Sequence, residues 1–338
     1  MPDNLYMVSV LIPFYNAERD LERCALSLFE QDYPDIQFVF VDDGSQDQSI
    51  SCLKQVLEKF PDRQSEVRII SHEENKGIAA SRNTALKNAV GEFVCFVDSD
   101  DWLEHDSIDL LVGKQRENDF DLVSGNRLIH FSDREVLFEE KAYHSKREMV
   151  LQMMQYSWDH FITGRLIRRS LFVDNNLIWT EGQNLGEDRY MMTLLAYYAN
   201  SSALIDSVVY HYERRSAGSL TTHCSNTVLL ELNNQELRNM QSLEEFFKDK
   251  ESVYKDACTR CVMEQLVYNR RLALKYSSKE EFDATVKMID KRSANDMSYI
   301  GWRRKGLVGW LTHNYLPMKF CVVIKRMAKD LIRRITSA

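Results

Sequence analysis

Short apolar runs alternate with stretches of helical periodicity over about the first 100 residues. Val8–Ile12 and Phe38–Val41 are rich in β-branched and aromatic residues, and Ala17–Gln31, between them, has apolar residues at helical spacing. The alternation continues through further predicted helices and strands at 49–60, 67–71, 78–89 and 92–97. Strands that are apolar on both faces suit a parallel sheet covered by crossover helices. The pattern therefore predicts a doubly wound α/β half.

The pattern is less regular after residue 101. Asp121–Asn126 and Ala203–Val209 predict two more strands, and helical periodicity returns at 145–156. Glycines interrupt the mixed segment from Trp158 to His223, and the chain after Asn226 is charged and helical almost to its end. We therefore expect an α/β domain over residues 1–223 and a helical extension over residues 224–338.

Composition indicates a compact protein with at least one sizeable core, because 44% of the 338 residues are hydrophobic. No apolar run approaches the roughly 18 residues that a membrane span needs, and the first residues lack the pattern of a signal peptide. Seven scattered cysteines indicate reduced thiols and no disulfide framework. We therefore expect a cytoplasmic protein.

Charge is distributed unevenly along the chain. The net charge is -8, but residues 301–338 contain nine Lys or Arg and a single acid. An acidic body argues against a nucleic acid as the partner. Basic residues interleaved with large apolar ones predict peripheral contact of residues 301–338 with an anionic membrane, at the inner face of the cell membrane. The alternative is a soluble helix packed on the domain.

Four polar clusters follow predicted strands, at residues 13–16, 42–45, 72–83 and 98–101. Because the carboxyl ends of parallel strands line one crevice of an open sheet, we expect these clusters to converge. Residues 42–45 alone would also suit a turn and a helix cap. The three carboxylates within 98–101 repel one another unless a cation or solvent neutralises them, and a Mg or Mn ion bound to a diphosphate would do so.

The succession SVLIPFYN, FVDDGSQDQS, NKGIAASRN and FVDSDD closely resembles the nucleotide-diphosphate-sugar half of glycosyltransferase family 2. The resemblance continues more weakly through TGRLIRRSLF, GEDRYM and YHYERRSAGSLT, to about residue 223. It implies the GT-A fold, which is Rossmann-like with a mostly parallel sheet and helices on both faces. Residues 1–101 would then form the nucleotide-binding half of the domain, and residues 102–223 the acceptor-side half.

The resemblance also implies roles for individual residues. Ten of them would hold the nucleotide sugar, namely Pro13, Tyr15, Asn16, Asp42, Asp43, Asn75, Lys76, Arg82, Asp98 and Ser99. Either of the acidic pair 42–43 could contact the base. Asp100 would bind the metal, Asp101 would stand behind it, and His211 resembles the histidine that completes the metal shell in several GT-A enzymes. The alternative for His211 is a packed strand residue.

Asp188, in the pair with Glu187, matches the general base of the family. Inversion by direct displacement needs one carboxylate to accept the proton of the acceptor hydroxyl, while a metal stabilises the departing diphosphate. Acids at a helix N-terminus would also explain this pair. Facing the acceptor we expect Trp158, Trp179 and Tyr190, for which core packing is the alternative. Arg214, Arg215 and Ser219 could belong to a loop that closes on the diphosphate, and a solvated hairpin turn is the alternative.

The sequence thus predicts an inverting transferase that uses Mn2+ or Mg2+. It would move a hexose or N-acetylhexosamine from a UDP-sugar to a saccharide or lipid-linked saccharide, in bacterial surface polysaccharide assembly. A sugar nucleotidyltransferase is disfavoured, because IPFYNAERD lacks the glycines and lysine of its nucleotide loop. A non-catalytic sugar-nucleotide-binding scaffold is the other alternative.

Overall fold

The computed structural model describes residues 6–155, 160–214, 225–276 and 278–292, together with residue 316. The chain divides into two compact units, Met1–His223 and Cys224–Ala338. The predictions for Trp158, for Arg215 and Ser219, and for the basic tail apart from residue 316 fall outside the described residues. No helix in the described ranges is both long and apolar enough to cross a membrane.

One sheet runs through the first unit. Its strands are β1 (Val8–Phe14), β2 (Ile36–Asp42), β3 (Val67–Ser71), β4 (Phe93–Phe96), β5 (Trp102–Leu103), β6 (Leu122–His130), β7 (Glu135–Phe138), β8 (Arg165–Arg168) and β9 (Ser202–Glu213). They lie in the order β3-β2-β1-β4-β8-β6-β9-β5, and β7 pairs with β6. The helices are α1 (Leu21–Phe29), α2 (Ser49–Glu58), α3 (Ile78–Asn88), α4 (Ser107–Asn118), α5 (Lys146–Met154), α6 (Ser170–Asp174) and α7 (Glu187–Tyr198).

The first half of this sheet is parallel, as the sequence predicts. β1 pairs with β2 and β4, β2 pairs with β3, and every residue of β1 is buried. Phe14 lies opposite Asp42, which lies opposite Ser71, so the carboxyl ends of three strands are in register. The polar turns that follow these strands therefore leave the sheet at one edge.

The second half of the sheet is mixed, although most of the paired residues in the whole sheet lie in parallel ladders, as expected. β8 is antiparallel to both β4 and β6, β5 is antiparallel to β9, and β6 is parallel to β9. A reversed strand needs no long crossover of its own, so β8 with its four residues fits between β4 and β6. β6 and β9 extend beyond the predicted strands to His130 and Glu213, because their pairing continues to these residues past register shifts between Gly125 and Arg127.

The second unit is helical, as predicted, over the residues that the structure describes. It contains α8 (Asn226–Phe247), α9 (Ser252–Lys275) and α10 (Lys279–Asp290). Leu230, Ala273 and Phe282 belong to a core cluster that joins the three helices. The Asn269 side chain donates to the Asn233 carbonyl at 3.1 Å, which adds a polar link between α8 and α9.

Candidate active site

The turns after β1 and β2 are tied to each other at the edge of the sheet. Asn16 adopts a left-handed conformation with φ of 49°, which asparagine tolerates better than most residues. Its backbone N–H donates to Ser45 Oγ at 2.9 Å, and its side-chain oxygen accepts from the Gln46 N–H at 2.8 Å. Tyr15, next to it, is 46% exposed, whereas Pro13 is buried. The tyrosine ring is therefore an accessible flat surface in the turn after β1.

The two aspartates that end β2 have different surroundings. Both are buried. Asp43 accepts from His72 Nδ1 at 2.7 Å and from the backbone N–H groups of Lys76 and Gly77 at 3.0 and 2.7 Å. Asp42 accepts from the Ser45 N–H at 2.9 Å, through Oδ1. Asp43 thus shapes the turn at 75–77, in which Asn75 and Lys76 are exposed. Among the described residues, no hydrogen bond engages the second oxygen of Asp42, Oδ2.

The acidic turn after β4 is held from behind by β9 and α1. Asp101 is fully buried and accepts from the Tyr210 hydroxyl at 2.6 Å and from the Glu213 N–H at 2.8 Å. The same hydroxyl accepts from the Asp98 N–H at 3.2 Å. Arg23 donates to the Asp100 carbonyl at 2.7 Å. These contacts fix the backbone of the turn, in which Ser99 is half-buried.

The carboxylates of this turn suit a divalent cation. Burial, and then the charges of Asp100 and Asp98, raise the pKa of Asp101 well above its ordinary value. Three or more His, Cys, Asp or Glu side chains do not converge on one point anywhere in the described ranges. Mg2+ and Mn2+ accept carboxylate oxygens, and Mg2+ is usually bound by one or two carboxylates together with substrate phosphates. Asp98 and Asp100 fit that donor set.

His211 lies in a stack of rings beside this turn. Its Nε2 is 2.8 Å from Glu104 Oε1, and its Nδ1 is 2.9 Å from His130 Nε2. The ring is stacked on Trp102 at 4.8 Å, and burial lowers its pKa. Both ring nitrogens are engaged, so the geometry favours the packed strand residue. The metal role stays a prediction, and it requires His211 to exchange one of these partners for the ion.

The predicted base lies at the start of α7. Gly186 precedes the helix with φ of 75°, a left-handed conformation that glycine adopts without strain. Asp188, 9% exposed, accepts from Arg82 Nη1 at 2.5 Å and from the Ile162 N–H at 3.4 Å. Arg82 Nη1 also donates to Glu187 at 3.0 Å. A buried carboxylate is therefore held in place by one guanidinium and one backbone amide.

The surroundings of Asp188 adjust its proton affinity to neutral pH. Burial raises the pKa of Asp188 to about 7, although the Arg82 charge opposes the shift. Glu187 and Asp98 raise this pKa further, and the Ile162 N–H lowers it. A general base works best when its pKa is close to the operating pH. Asp188 can therefore accept a proton, and about half of it is ionised at pH 7 and most of it at higher pH.

Arg82 connects the predicted base, Asp188, to the acidic turn. It is 2% exposed, and its Nη2 donates to Asp98 at 3.2 Å while its Nη1 bonds Glu187 and Asp188. The sequence predicts that Arg82 binds the diphosphate, but here three carboxylates surround the guanidinium. They do so because α3 presents Arg82 to the start of α7, a contact between residues 106 apart in sequence. Arg82 therefore pairs with these three acids, and its contact with the diphosphate stays a prediction.

Two further predicted residues take structural positions. Trp179 is 1% exposed and packs against Phe96 and Phe172, with ring centroids 5.4 and 5.8 Å apart, so core packing is the correct alternative. Tyr190 is half-buried in α7. Sequence reasoning missed His72 and Tyr210 as supports of Asp43 and Asp101. The available signal was position, because His72 directly follows β3 and Tyr210 directly follows the apolar end of the predicted strand 203–209.

Comparisons with known proteins agree on one family. Residues 9–174, about half of the chain, match the model of Glycosyl transferase family 2. The "Uncharacterized glycosyltransferase EpsJ" of Bacillus subtilis (strain 168) is 30% identical over 224 residues, which span 64% of this chain and 63% of EpsJ. The "Poly(ribitol-phosphate) beta-N-acetylglucosaminyltransferase TarS" of Staphylococcus aureus (strain Mu50 / ATCC 700699) is 28% identical over 73% of this chain and 42% of TarS.

Solved structures share the fold. S. aureus TarS 1–349 in complex with UDP-GlcNAc has a TM-score of 0.66 and 21% identity, covering 96% of this chain and 92% of that one. The mannosyltransferase PcManGT from Pyrobaculum calidifontis, in complex with GDP-Man and Mn2+, has a TM-score of 0.54 and 17% identity, over 89% of this chain and 80% of that one. The fold is GT-A, and the chain belongs to glycosyltransferase family 2.

Proposed function

We propose that this chain is an inverting glycosyltransferase that uses Mn2+ or Mg2+ to move a hexose or N-acetylhexosamine from a UDP-sugar to an acceptor hydroxyl. One observation carries the proposal. Asp188 is a buried carboxylate with a pKa of about 7, and Arg82 joins it to Asp98 of the acidic turn. A proton acceptor and a candidate metal site are thus held by the same guanidinium.

The residues suit a single displacement. Asp188 accepts the proton of the acceptor hydroxyl as that oxygen forms a bond to the anomeric carbon of the donor. The bond from this carbon to the diphosphate breaks, UDP departs with its electron pair, and the configuration inverts. A bound metal, held by Asp98 and Asp100, would neutralise charge on the diphosphate. Arg82 keeps Asp188 oriented, and burial of Asp188 limits competition from water.

Donor choice is inferred from the base-binding edge and from the relatives. The unengaged oxygen of Asp42 is a suitable acceptor for an N–H of the base, and the exposed ring of Tyr15 can stack on it. Complexes of TarS with UDP-GlcNAc and UDP support a UDP-sugar. The PcManGT complex with GDP-Man makes GDP-mannose the donor to test against it.

The acceptor would be a saccharide, free or lipid-linked, in assembly of a bacterial surface polysaccharide. The name of TarS, which acts on poly(ribitol-phosphate), supports a polymeric acceptor that carries hydroxyl groups. The enzyme would work in the cytoplasm, with the basic segment 301–338 in peripheral contact with the inner face of the membrane.

Donor turnover tests the proposal. UDP or GDP release is measured over a panel of nucleotide sugars with Mn2+, for the wild type and for Asp188→Asn, with nucleotide binding followed by calorimetry. Because a general base contributes about 10²- to 10⁴-fold, we expect Asp188→Asn to lose at least about 100-fold in kcat and to bind UDP normally.

Glu187→Gln is the matched control, since Glu187 shares Arg82 Nη1 with Asp188. We expect it to lose much less activity than Asp188→Asn. Equal losses in the two variants would refute the assignment of the base to Asp188. UDP binding without turnover of any donor, with saccharide acceptors present, would refute the transferase and support the scaffold.

A further inference from the structure

Two buried arginines in the neighbouring strands β6 and β8 share one carboxylate. Arg127 of β6 donates through Nε to Glu140 at 2.9 Å, and Arg165 of β8 donates through Nη2 to both Glu140 oxygens at 2.8 Å. The Glu140 side chain is fully buried, and each arginine side chain is 3% exposed. Buried ion pairs persist only when hydrogen bonds satisfy them. The proposed displacement does not use this cluster.

Both arginines also hold one backbone carbonyl. Arg165 Nε donates to the Phe161 carbonyl at 2.7 Å, and Arg127 Nη2 donates to the same oxygen at 3.3 Å. Arg127 Nη1 donates to Thr163 Oγ1 at 3.2 Å. The two guanidiniums therefore bind the short segment 161–163 from both ends.

That segment reaches the base directly. The peptide that contains the Phe161 carbonyl also contains the N–H of Ile162, and this N–H donates to Asp188 Oδ2 at 3.4 Å. The carbonyl and the N–H of one planar peptide move together. A rotation of this peptide that frees the Phe161 carbonyl from the arginines would therefore turn the N–H away from Asp188.

We propose that Glu140 is a positioning residue for Asp188, acting through Arg127, Arg165 and the peptide between Phe161 and Ile162. The proposal rests on Asp188 being the base of the proposed function. Glu140 fixes the two guanidiniums so that each presents an N–H to the Phe161 carbonyl. When Glu140 loses its charge, two neighbouring buried cations remain and repel each other. Arg127 and Arg165 then lack the carboxylate that both of them bind, and their contacts with the Phe161 carbonyl are weakened.

A change in the proton affinity of Asp188 distinguishes this role from general stabilisation. The Ile162 N–H lowers the pKa of Asp188, as Arg82 does, whereas burial, Glu187 and Asp98 raise it. When the N–H turns away, the pKa of Asp188 rises and the acid limb of the rate profile moves to higher pH. A stability defect alone would lower the amount of active enzyme without moving this limb.

The experiment compares Glu140→Gln with Asp121→Asn, using kcat and donor KM between pH 5.5 and 9.5 together with thermal unfolding. Asp121 is the matched control, because it pairs with Arg168 of the same strand β8 at 2.8 Å. Since a displacement of about 1 Å can cost 100-fold, we expect kcat of Glu140→Gln to fall roughly 10- to 100-fold at pH 7. For Glu140→Gln we also expect kcat to recover partly at high pH and donor KM to stay within about threefold of the wild type. For Asp121→Asn we expect the acid limb of the rate profile to be unshifted.

A double variant tests the route through the base. On an Asp188→Asn background, Glu140→Gln should cost little further activity, because the group that it positions is already gone. Folded Glu140→Gln with the wild-type kcat and acid limb would overturn the proposal, and so would an undiminished loss on the Asp188→Asn background. An active Asp188→Asn would instead overturn the proposed function.

Should Glu140→Gln fail to fold, Arg165→Lys tests the same contact. Lysine can still pair with Glu140, but its single ammonium cannot reproduce the guanidinium fork that also reaches the Phe161 carbonyl. We expect the same upward shift of the acid limb, and an unshifted limb in this variant would overturn the proposal.

Discussion

Replacing Arg82 by glutamine should make transfer require a higher pH. Arg82 is the group whose charge lowers the pKa of Asp188, and the remaining neighbours Glu187 and Asp98 raise it. An opposite charge within about 4–6 Å typically lowers a carboxyl pKa by roughly 1–3 units. The acid limb of kcat/KM, expected near the Asp188 pKa of about 7 in the wild type, should therefore move up by a similar amount.

The size of the effect follows from the ionised fraction of Asp188. With a pKa of about 7, half of the wild type carries the ionised base at pH 7. An upward shift of roughly 1–3 units leaves about a tenth to a thousandth ionised, so kcat/KM at pH 7 should fall about 5- to 500-fold. Arg82→Lys keeps a positive charge and should shift the limb less.

The assay measures initial rates of UDP release from pH 5.5 to 9.5 at subsaturating donor. Under these conditions the rate gives kcat/KM, whose pH dependence reports the pKa values of the free enzyme. Much of the lost rate of Arg82→Gln should return at the alkaline end. An equal loss at every pH, with the acid limb unmoved, would refute the reasoning. It would show that Arg82 acts on the donor and leaves the proton affinity of Asp188 unchanged.

Three further substitutions test the supports of the site. Asp43→Asn presents an amide group to three donors and should lower the free energy of unfolding by about 1–3 kcal/mol in urea titration, with weaker UDP binding; an unchanged midpoint would contradict this. Gly77→Ala, at φ of 88°, puts a Cβ 2.4 Å from Asn184 Nδ2 and should lower the melting temperature by several degrees, checked by calorimetry. Tyr210→Phe removes the hydroxyl that contacts both Asp101 and the backbone N–H of Asp98. Donor KM should therefore rise severalfold in steady-state kinetics. A lower melting temperature with an unchanged donor KM would contradict a role of Tyr210 in the acidic turn.

The parallel half of the sheet was predictable from local pattern. β1 to β4 are short apolar runs, and the carboxyl ends of parallel strands lie at one edge of a sheet. The turns after Phe14 and Asp42 therefore lie close together, and these two residues pair in register. The β6 strand was predicted to end at residue 126, because the stretch that follows is polar and less regular, but it continues to His130. Arg127 is buried, because the buried Glu140 carboxylate neutralises it.

Contacts between residues far apart in sequence were not predictable in this way. The sequence indicates a cation near phosphate at Arg82, but its partner Asp188 is 106 positions away, and nothing local identifies it. His211 reads equally well as a ligand or a packed ring until Glu104 and His130 are seen at its nitrogens. Motifs locate the acids and bases, whereas tertiary contacts determine which charges meet.

The junction between β4 and β8 bears on how new specificities can be assembled. Only two residue pairs join these strands, with one bridge between Phe96 and Thr163, whereas seven pairs join β1 and β2. Recombination between relatives could therefore exchange the β6–β8–β9 side of the domain with little loss of backbone pairing. Such a chimera would remain a working catalyst only if its incoming α7 still offered Arg82 a carboxylate at the position of Asp188.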